Sequence, residues 1–447
     1  MPGGNLGPGI VVESVPPSRE VGRIDEESGS ISVEAGAVAS SVDARLRASG
    51  RFLPFLPSSA RWCSIGGMVA NNAAGARSFR FGAAAKWVES LDGILPSGEP
   101  FRLSPDRPPP VEFTRLRDRL VPIAAEITSG WPRVRKNSSG YALDRFLPSA
   151  DAVQLLVGSE GTLGFVTRIE LKSAPLPESR GLALLAVDSP DELMVLAAEA
   201  RRTEASTCEF LGRRLIEMAG LVRDSELGDL ANGAYALVLL EAIGEEKDVR
   251  HELDVLQRLG RVVGRGALTT RDPTAVDRLW SLRHAASPTI AREADRGRIS
   301  VQFIEDCVVP PERLGAFLIG LQGILDASSF DAVIFGHAGD GNVHVNPLVD
   351  VRASDWRGRV RRVLDETTEL VASLGGTLAG EHGDGRLRAP LLQRIWSEPV
   401  VRAFRTVKET LDPRGIMNPG VILPEAEQDP LDHLHPRREA YPPRDGP

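Results

Sequence analysis

Residues 64–82, SIGGMVANNAAGARSFRFG, form the stretch of this 447-residue sequence that decides the fold. A second tract rich in small residues, VGSEGTLGFVT, occupies residues 157–167. Glycine lets a backbone adopt positive φ and approach a flat or anionic ligand closely, so that backbone N–H groups can cradle it. Neither tract reads GxGxxG, so a Rossmann-type dinucleotide site is not indicated. One such tract is explained by tight turns, but two long ones favour a bound cofactor.

The composition around these tracts is that of a globular protein with two or three domains. Apolar residues make up 42% and charged residues 26%, and the net charge of −8 argues against a nucleic-acid partner. The three separated cysteines form neither a disulfide framework nor an iron–sulfur motif. No apolar run reaches the ~20 residues of a membrane span, and the N-terminus does not resemble a secretory signal. We expect a cytoplasmic protein, and peripheral attachment to a membrane remains open.

The pattern of predicted elements changes near residues 174–178. Before this boundary, the sequence predicts strands at IVVES and ISVEA, a helix over 38–50, a strand pair in KWVESLDGILPSGE, a helix over 112–130, and strand–loop–strand over 151–178. After it, the sequence predicts a strand over 182–187, a helix capped by Ser189, and amphipathic helices over 353–374 and 390–411. This alternation favours an α+β domain with an antiparallel sheet and helices on one face.

The sharpest local signal is VIFGHAGDGNVHVNP, residues 333–347. Asp-Gly flanked by apolar residues predicts a hairpin with a two-residue type I′ turn at Asp340 and Gly341. His337 then lies opposite His344, with Cβ atoms about 4.5–5.5 Å apart. Two imidazoles this close can share a divalent metal, and the alternative is a solvated or hydrogen-bonded pair.

A carboxylate and a third histidine, Glu381 and His382, occur in GGTLAGEHGDGR, residues 375–386. Glu-His pairs are common on surfaces, so this segment alone indicates little. Two histidines and one carboxylate with open coordination positions would suit Zn²⁺, Mn²⁺ or Fe²⁺ and leave room for a substrate.

The two glycine tracts, preceded by PSS at residues 57–59, resemble the FAD domain of the vanillyl-alcohol-oxidase, or PCMH-type, superfamily. The resemblance is to the branch of D-lactate dehydrogenase, D-2-hydroxyglutarate dehydrogenase and the glycolate oxidase D subunit, and covers about residues 1–423. It implies noncovalent FAD. The residues that it places along FAD are Gly3, Gly4, Asn5, Pro57, Ser58, Ser64, Ile65, Gly66, Gly67, Asn72, Gly75, Arg80, Gly82, Glu160, Gly161, Gly164, Val166 and Asn418.

The resemblance also implies a division of the chain. The expected parts are an FAD-binding domain over 1–174, a substrate- and metal-binding cap domain over 175–389, a C-terminal helix with an NPG segment that returns to the flavin over 390–423, and an extended tail over 424–447. The start, MPGGNLGPG, resembles the end of the pyrophosphate loop of this family. The first strand–helix–strand unit of the family's domain is missing, so we expect a longer reading frame upstream, or weaker FAD binding if there is none.

In the cap domain, the resemblance implies that His337, His344 and Glu381 bind the metal and that His382 is the general base. It further suggests that Arg283, in LWSLRHAAS, and Asn346 contact the substrate. The segment 301–310, VQFIEDCVVP, lacks the lysine of the hydroxyglutarate enzymes. A D-lactate-like or glycolate-like acid is therefore favoured.

The implied reaction is oxidation of a D-2-hydroxy acid to the 2-keto acid, with the Cα hydride passing to flavin N5. His382 would take the hydroxyl proton, since an imidazole pKa near ~6.5 suits a base at neutral pH. Electrons would leave through a separate iron–sulfur subunit, a cytochrome or a quinone, and a homodimer remains open. The alternatives are an oxidase or an ether-lipid synthase on the same scaffold, or a truncated, non-catalytic flavin- or metal-binding protein.

Overall fold

The computed structural model describes residues 10–11, 19–224 and 226–434. Three expected FAD contacts, Gly3, Gly4 and Asn5, lie outside the described residues, as does the tail beyond residue 434. The first two residues of IVVES are described and are not part of a strand, and its other three lie outside.

The first part of the chain forms a five-stranded sheet in the order β1-β2-β6-β4-β5 and a small β3-β7 pair. Its strands are β1 (Val21–Ile24), β2 (Ile31–Glu34), β3 (Arg51–Phe52), β4 (Val88–Ile94), β5 (Pro100–Leu103), β6 (Phe165–Leu171) and β7 (Ala174–Pro175). Its helices are α1 (Ala39–Arg47), α2 (Ile65–Ala70), α3 (Ser78–Phe81), α4 (Val111–Leu120), α5 (Ala124–Ser129), α6 (Leu143–Ser149) and α7 (Ala152–Leu156).

The second part forms an eight-stranded sheet in the order β11-β8-β10-β9-β14-β15-β12, with β13 also paired to β15. Its strands are β8 (Ser179–Val187), β9 (Glu209–Gly212), β10 (Ala236–Gly244), β11 (Ala267–Thr270), β12 (Ile299–Ser300), β13 (Cys307–Val308), β14 (Ala332–His337) and β15 (Asn342–Val349). Its helices are α8 (Pro190–Ala200), α9 (Arg213–Met218), α10 (Gly228–Ala231), α11 (Glu246–Val263), α12 (Pro273–His284), α13 (Ala286–Ala291), α14 (Leu314–Ala327), α15 (Trp356–Ser373), α16 (Gly385–Arg388), α17 (Leu392–Ile395) and α18 (Glu398–Leu411).

The α+β class with antiparallel sheets is confirmed, since every pair of strands among the described residues is antiparallel. The long helices α8, α11, α14 and α15 pack on one face of the larger sheet, as expected. The structure adds the helices α9, α12 and α13 on the opposite face. Both faces of β8 and β10 are therefore buried, which explains their continuous apolar runs.

Several local predictions are confirmed. ISVEA contains β2, and residues 38–50 contain α1. KWVESLDGILPSGE contains β4 and the turn, and the paired strand β5 begins at the next residue, Pro100. The hydroxyl of Ser189 accepts the Glu192 N–H at 3.1 Å and caps α8.

Three local predictions are wrong in detail, each for an identifiable reason. Residues 152–156 form a helix instead of a strand, because the Asp151 carboxylate caps it by accepting the N–H groups of Val153 and Gln154. The helix expected over 112–130 is divided at Pro122, and the one expected over 390–411 is divided between α17 and α18.

No helix of the described residues combines the length and apolarity needed to cross a membrane.

The C-terminal helix α18 packs into the core of the first part, where Phe404 and Val407 are fully buried. An ion pair also ties the first glycine tract to the larger sheet. Arg77, at the start of α3, donates from Nε and from a terminal nitrogen to the two oxygens of Glu241 on β10, at 2.7 and 2.8 Å. Glu241 is fully buried and also accepts from Ser206 Oγ at 2.9 Å and Trp280 Nε1 at 3.2 Å.

Arg77→Met is expected to destabilise the protein, because it leaves the Glu241 carboxylate buried without its main partner. Breaking a fully buried ion pair costs about 3–5 kcal/mol, and we expect about 2–3 kcal/mol here because Arg180 stays within 3.4 Å of Glu241. Urea unfolding followed by tryptophan fluorescence measures the loss. Arg102→Met removes an exposed ion pair and should cost less than about 1 kcal/mol of stability. Equal losses of stability in the two variants would contradict the role given to the Arg77–Glu241 pair.

Candidate functional site

The β14–β15 hairpin forms where the sequence predicts it, but the predicted register is wrong. His337 pairs with Asn342, and His344 pairs with Phe335. The turn spans residues 338–341, and Gly341 closes it with φ of +69°, where a Cβ would lie 2.1 Å from the carbonyl oxygen of Val309. The two histidines are therefore diagonal neighbours on one face, which long side chains can bridge. Their ring centroids are 5.2 Å apart.

The loop that carries Glu381 and His382 is held by one buried carboxylate. Oδ2 of Asp306 accepts the backbone N–H groups of Gly380, Glu381 and His382 at 2.8, 3.0 and 2.9 Å. Its Oδ1 accepts from the side-chain amide of Asn342 at 2.9 Å. Asp306 thus fixes this loop against the histidine hairpin. The sequence analysis missed it, although it lies in the segment VQFIEDCVVP.

Three ligand atoms converge between the hairpin and the loop. Nε2 of His337 lies 3.2 Å from Oε1 of Glu381 and 3.3 Å from Nε2 of His344, which lies 3.4 Å from the same oxygen. A tetrahedral ion with metal–ligand distances of about 2.0–2.1 Å separates its ligand atoms by about 3.3 Å. The spacing of these three atoms therefore fits one face of a tetrahedral metal site.

The partner of Nδ1 in each imidazole determines whether its Nε2 can offer a lone pair to the site. Nδ1 of His337 faces the Glu209 carboxylate, and Nδ1 of His344 faces the carbonyl oxygen of Glu305 at 2.9 Å. Both partners only accept, so each Nδ1 carries a hydrogen and the Nε2 of a neutral ring presents a lone pair. In that state two lone pairs and a carboxylate oxygen face one another, which suits a cation. Burial would lower the pKa of His337, but the Glu209 carboxylate outweighs it and raises the pKa, so a cation would replace a proton at this ring. Burial lowers the pKa of His344 and favours its neutral form.

Glu209, on β9, is a site residue that the sequence analysis missed. Its second oxygen accepts from Nε of Arg283 at 2.9 Å, and the Arg283 guanidinium lies 4.5 Å from the ring centroid of Phe335. Burial would raise the pKa of Glu209, but His337 and Arg283 outweigh it and lower the pKa to about 2. A carboxylate behind a ligand histidine fixes its tautomer and raises its basicity. The structure thus connects Arg283, the expected substrate contact, to His337 through Glu209.

His382 lies beside the three ligand atoms rather than among them. Its ring stacks on that of His344 with centroids 5.4 Å apart, Nδ1 lies 3.3 Å from Glu305 Oε1, and Nε2 lies 3.7 Å from Glu381 Oε1. Burial would lower the pKa of His382, but the carboxylates of Asp306 and Glu305 outweigh it and raise the pKa to about 9. At neutral pH these neighbours favour the imidazolium, so His382 can take a proton from a substrate only after it has lost this one, which a cation bound at the three ligand atoms would favour.

Asn346, the second expected substrate contact, follows His344 by two positions on β15 and therefore shares its face. It is buried, and its side-chain oxygen accepts from Ser300 Oγ at 3.1 Å. The structure thus brings all six predicted residues of the cap site to one region: His337, His344, Glu381, His382, Asn346 and, through Glu209, Arg283.

The two glycine tracts lie side by side. The N–H groups of Gly158 and Glu160 donate to the carbonyl oxygens of Val69 and Ala70, at the end of α2, at 2.9 and 2.8 Å. A Cβ on Gly75 would lie 1.9 Å from the carbonyl oxygen of Leu56, so only glycine allows the tract to pass the Pro57 loop this closely. Gly161, with φ of +69°, faces open space. This backbone fits an extended cofactor with phosphate and ring groups.

The other expected FAD contacts fall into three groups. Ser64 caps α2, and the side-chain oxygen of Asn72 accepts the Ala85 N–H at 2.9 Å, so both side chains bond the backbone of this part of the chain. Arg80 instead pairs with Glu204 of the larger-sheet part at 2.9 Å. The remaining expected contacts lie in or beside the elements of the first part. They are Ile65, Gly66 and Gly67 in α2, Ser58 in the exposed loop after Pro57, Gly82 at the end of α3, Gly164 against Phe101, and Val166 opposite Gly93.

Glu160 joins the second tract to the loop of His382. Its carboxylate accepts the N–H of Asp384 at 2.7 Å and of Gly385 at 3.0 Å, and its carbonyl oxygen accepts from the Asn418 side chain at 2.7 Å. Burial and the neighbouring Asp384 raise the pKa of Glu160 above the ordinary range. Asn71 of the first tract donates to the His382 carbonyl oxygen at 3.1 Å. Both glycine tracts therefore contact the loop that carries the base.

A cavity of about 460 Å³ opens beside this contact, and its lining includes Asn72, Lys136, Gln154 and Gly380. Lys136 is another site residue that the sequence analysis missed, and its Nζ donates to Oε2 of Glu381 at 2.8 Å. Burial would lower the pKa of Lys136, but the carboxylates of Glu381 and Asp340 outweigh it and raise the pKa. The small-residue run KNSSG at 136–140 was the available signal.

Comparison with known families identifies the class of protein. A family described as "FAD linked oxidases, C-terminal domain" matches residues 176–422, more than half of the chain, and a family described as "FAD binding domain" matches residues 3–104. The chain therefore belongs to the FAD-linked oxidases and is a flavin-dependent oxidoreductase. The PCMH-type resemblance is confirmed.

Three relatives of known name are similar to this chain along most of its length. The chain is 27% identical over 405 residues to the glycolate oxidase subunit GlcD of Bacillus subtilis, covering 90% of this chain and 76% of that protein. It is 26% identical to a D-2-hydroxyglutarate dehydrogenase of Pantoea ananatis, covering 94% of this chain and 44% of that protein. It is 27% identical to a D-lactate dehydrogenase of Archaeoglobus fulgidus, covering 81% and 70%. The chain thus spans three quarters of the first relative and less than half of the second.

Among solved structures, an alkyldihydroxyacetonephosphate synthase superposes with a TM-score of 0.62 over 91% of this chain and 67% of that chain. The identity is 14%, so this likeness supports the fold alone.

Asp306→Asn is expected to loosen the loop of Glu381 and His382. Both oxygens of Asp306 accept from N–H groups, so the NH₂ group of the new amide must face N–H donors on one of its two sides. Hydrogen bonds to a charged acceptor contribute about 1.5–3 kcal/mol, so losing about 2 kcal/mol locally should speed exchange of the 380–382 amide hydrogens ~30-fold. Hydrogen exchange with mass spectrometry measures this. Asp326→Asn, at the exposed end of α14, is the control. Unchanged exchange at 380–382 would contradict the role given to Asp306.

Proposed function

We propose that this protein is an FAD-dependent dehydrogenase that oxidises a D-2-hydroxy acid, D-lactate-like or glycolate-like, to the 2-keto acid. The carrying observation is that three metal-ligand atoms converge beside an imidazole base, on a loop that contacts both glycine tracts. This arrangement supports a site for an alcohol oxygen next to the tracts that would hold the cofactor. The names of the three relatives support the substrate class.

The metal would be held by His337, His344 and Glu381. Support comes from their mutual distances and from the two imidazole lone pairs, which otherwise face each other and a carboxylate. A bound Zn²⁺, Mn²⁺ or Fe²⁺ supplies a Lewis acid that polarises the hydroxyl and carboxylate oxygens of a substrate. Glu209 would support the site by fixing the His337 ring.

FAD would lie noncovalently along the tracts at 64–82 and 157–167, where two close-packed backbone segments offer N–H groups and an open glycine. FAD, when bound, supplies the hydride acceptor. Asn418, which contacts Glu160, would close this part of the site from the C-terminal segment.

The remaining chemistry is carried by side chains of this chain. His382 would accept the hydroxyl proton, and Glu305 would orient it by bonding Nδ1 and leaving Nε2 toward the ligand atoms. Arg283 uses Nε for Glu209, so its terminal nitrogens are the groups we assign to the substrate carboxylate. Asn346 would contact the same substrate from β15. A separate iron–sulfur subunit, a cytochrome or a quinone would take the electrons.

The function is tested by anaerobic flavin bleaching against a panel of D- and L-2-hydroxy acids. We expect the flavin absorbance of the purified protein to fall with one or more D-acids and to stay unchanged with their L-enantiomers. Acid precipitation should release the flavin into the supernatant. An oxidase would consume O₂ at the rate of turnover, and an ether-lipid synthase would not require metal. A yellow protein that no acid bleaches would support the non-catalytic alternative.

Substitution of the site residues separates ligands from base. His337→Ala and Glu381→Ala should lose metal and activity together, whereas His382→Ala should keep the metal and lose turnover by ~10²–10⁴-fold. Flavin should remain bound in all three, because the glycine tracts are untouched. Metal analysis normalised to flavin absorbance measures both. Full metal content in His337→Ala would show that the ligands are misassigned. Loss of metal in His382→Ala, but not in His344→Ala, would show that the ligand and base roles are exchanged.

A further inference from the structure

The residue left without a role by this scheme is Lys136, which enters the site from the first part of the chain. Its loop is fastened to the loop of Glu381 by three hydrogen bonds. Ser138 N–H donates to the Ala379 carbonyl oxygen at 3.0 Å, Gly383 N–H donates to Ser138 Oγ at 3.0 Å, and Gly140 N–H donates to Asp384 Oδ2 at 2.7 Å. The position of Lys136 relative to Glu381 is therefore fixed by backbone on both sides.

The Lys136 ammonium is buried and paired. Its side chain is 4% exposed, and Nζ lies 2.8 Å from Oε2 of Glu381 and 3.7 Å from Oδ2 of Asp340. An ammonium group removed from water costs free energy unless carboxylates compensate it. No other hydrogen-bond partner of this ammonium is found among the described residues, so the bond to Glu381 is the contact that keeps it there.

The two oxygens of Glu381 thus have different partners. Oε1 faces His337 and His344 at 3.2 and 3.4 Å, and Oε2 is taken by Lys136. An oxygen held against an ammonium is the weaker and less accessible metal ligand, so this carboxylate offers a metal chiefly Oε1. The geometry fixes both the rotation of the carboxylate and the number of oxygens it presents.

We propose that Lys136 is a positioning residue that holds Glu381 as a one-oxygen ligand and so strengthens Zn²⁺ binding at the site of His337 and His344. This rests on the metal site proposed above. Two imidazoles and one carboxylate oxygen suit a small tetrahedral ion, whereas an ion that prefers more oxygen ligands gains from a carboxylate free to use both. The lysine therefore also favours Zn²⁺ over Mn²⁺.

The positioning role and simple charge repulsion predict opposite changes in metal affinity when Lys136 is removed. If Lys136 acted only as a cation near a cation site, its removal would tighten metal binding. If it positions Glu381, its removal weakens binding, by the ~10–100-fold typical of residues that orient a metal ligand. The sign of the change decides between the two.

The experiment uses the whole 447-residue chain with flavin bound and with metal removed by a chelator. Zn²⁺ and Mn²⁺ are titrated separately in competition with a chromophoric chelator into the wild type, Lys136→Met and Lys172→Met. Lys172 lines the same cavity but pairs with Glu89, so it is the matched control. We expect Zn²⁺ affinity to fall ~10–100-fold in Lys136→Met, with a smaller fall for Mn²⁺, and no change in Lys172→Met.

Equal or tighter Zn²⁺ binding by Lys136→Met would overturn the proposal, as would an equal loss in Lys172→Met. A wild type that binds no metal would instead refute the metal site itself, so the two failures are distinguishable. Flavin absorbance and the melting temperature of the metal-free proteins show whether each variant is folded. If Lys136→Met does not fold, Lys136→Ala, which also removes the donor, replaces it: a reduced Zn²⁺ affinity supports the proposal, and an equal or tighter affinity refutes it.

Discussion

The arrangement of this site depends on one buried carboxylate, that of Asp306. A single oxygen collects three consecutive backbone N–H groups, and this fixes the directions in which Glu381 and His382 leave the loop. The other oxygen holds Asn342, at the start of the strand that carries His344. Because a charged acceptor in a buried place interacts strongly with N–H donors, the loop and the hairpin keep one relative position. The convergence of ligand atoms follows from that position.

The site belongs to neither sheet alone. Glu160 accepts backbone N–H groups of the same loop from one side, Lys136 contacts Glu381 from another, and Arg77 joins the first glycine tract to the larger sheet. These contacts are charged or charge-assisted and buried, so they tolerate little displacement. A cofactor along the tracts and a metal on the cap would therefore face each other at a defined separation, which is what transfer of a hydride from a metal-held alcohol requires.

The histidine pair shows how a sequence argument can succeed and fail together. The Asp-Gly signal predicted a hairpin, and the hairpin forms. The turn is longer than predicted because Gly341 packs against the backbone of Val309, a contact distant in sequence. The register moves, yet His337 and His344 remain on one face as diagonal neighbours. The short helix α7 is a similar case, since its five mostly apolar residues, AVQLL, suit a strand or a helix, and the Asp151 cap selects the helix.

The sequence alone determined the fold class, the family and the cofactor class, because these depend on glycine tracts and apolar periodicity that act over a few residues. It also named the residues that the structure gathers at the candidate metal site. Only the tertiary structure revealed Lys136, Glu209 and the adjacent pair Glu305 and Asp306. They come from three separate segments, and their contacts join partners 36 to 245 positions away. A buried carboxylate or ammonium in sequence looks like any surface charge. Its function appears only when folding removes it from water and forces it to find a partner.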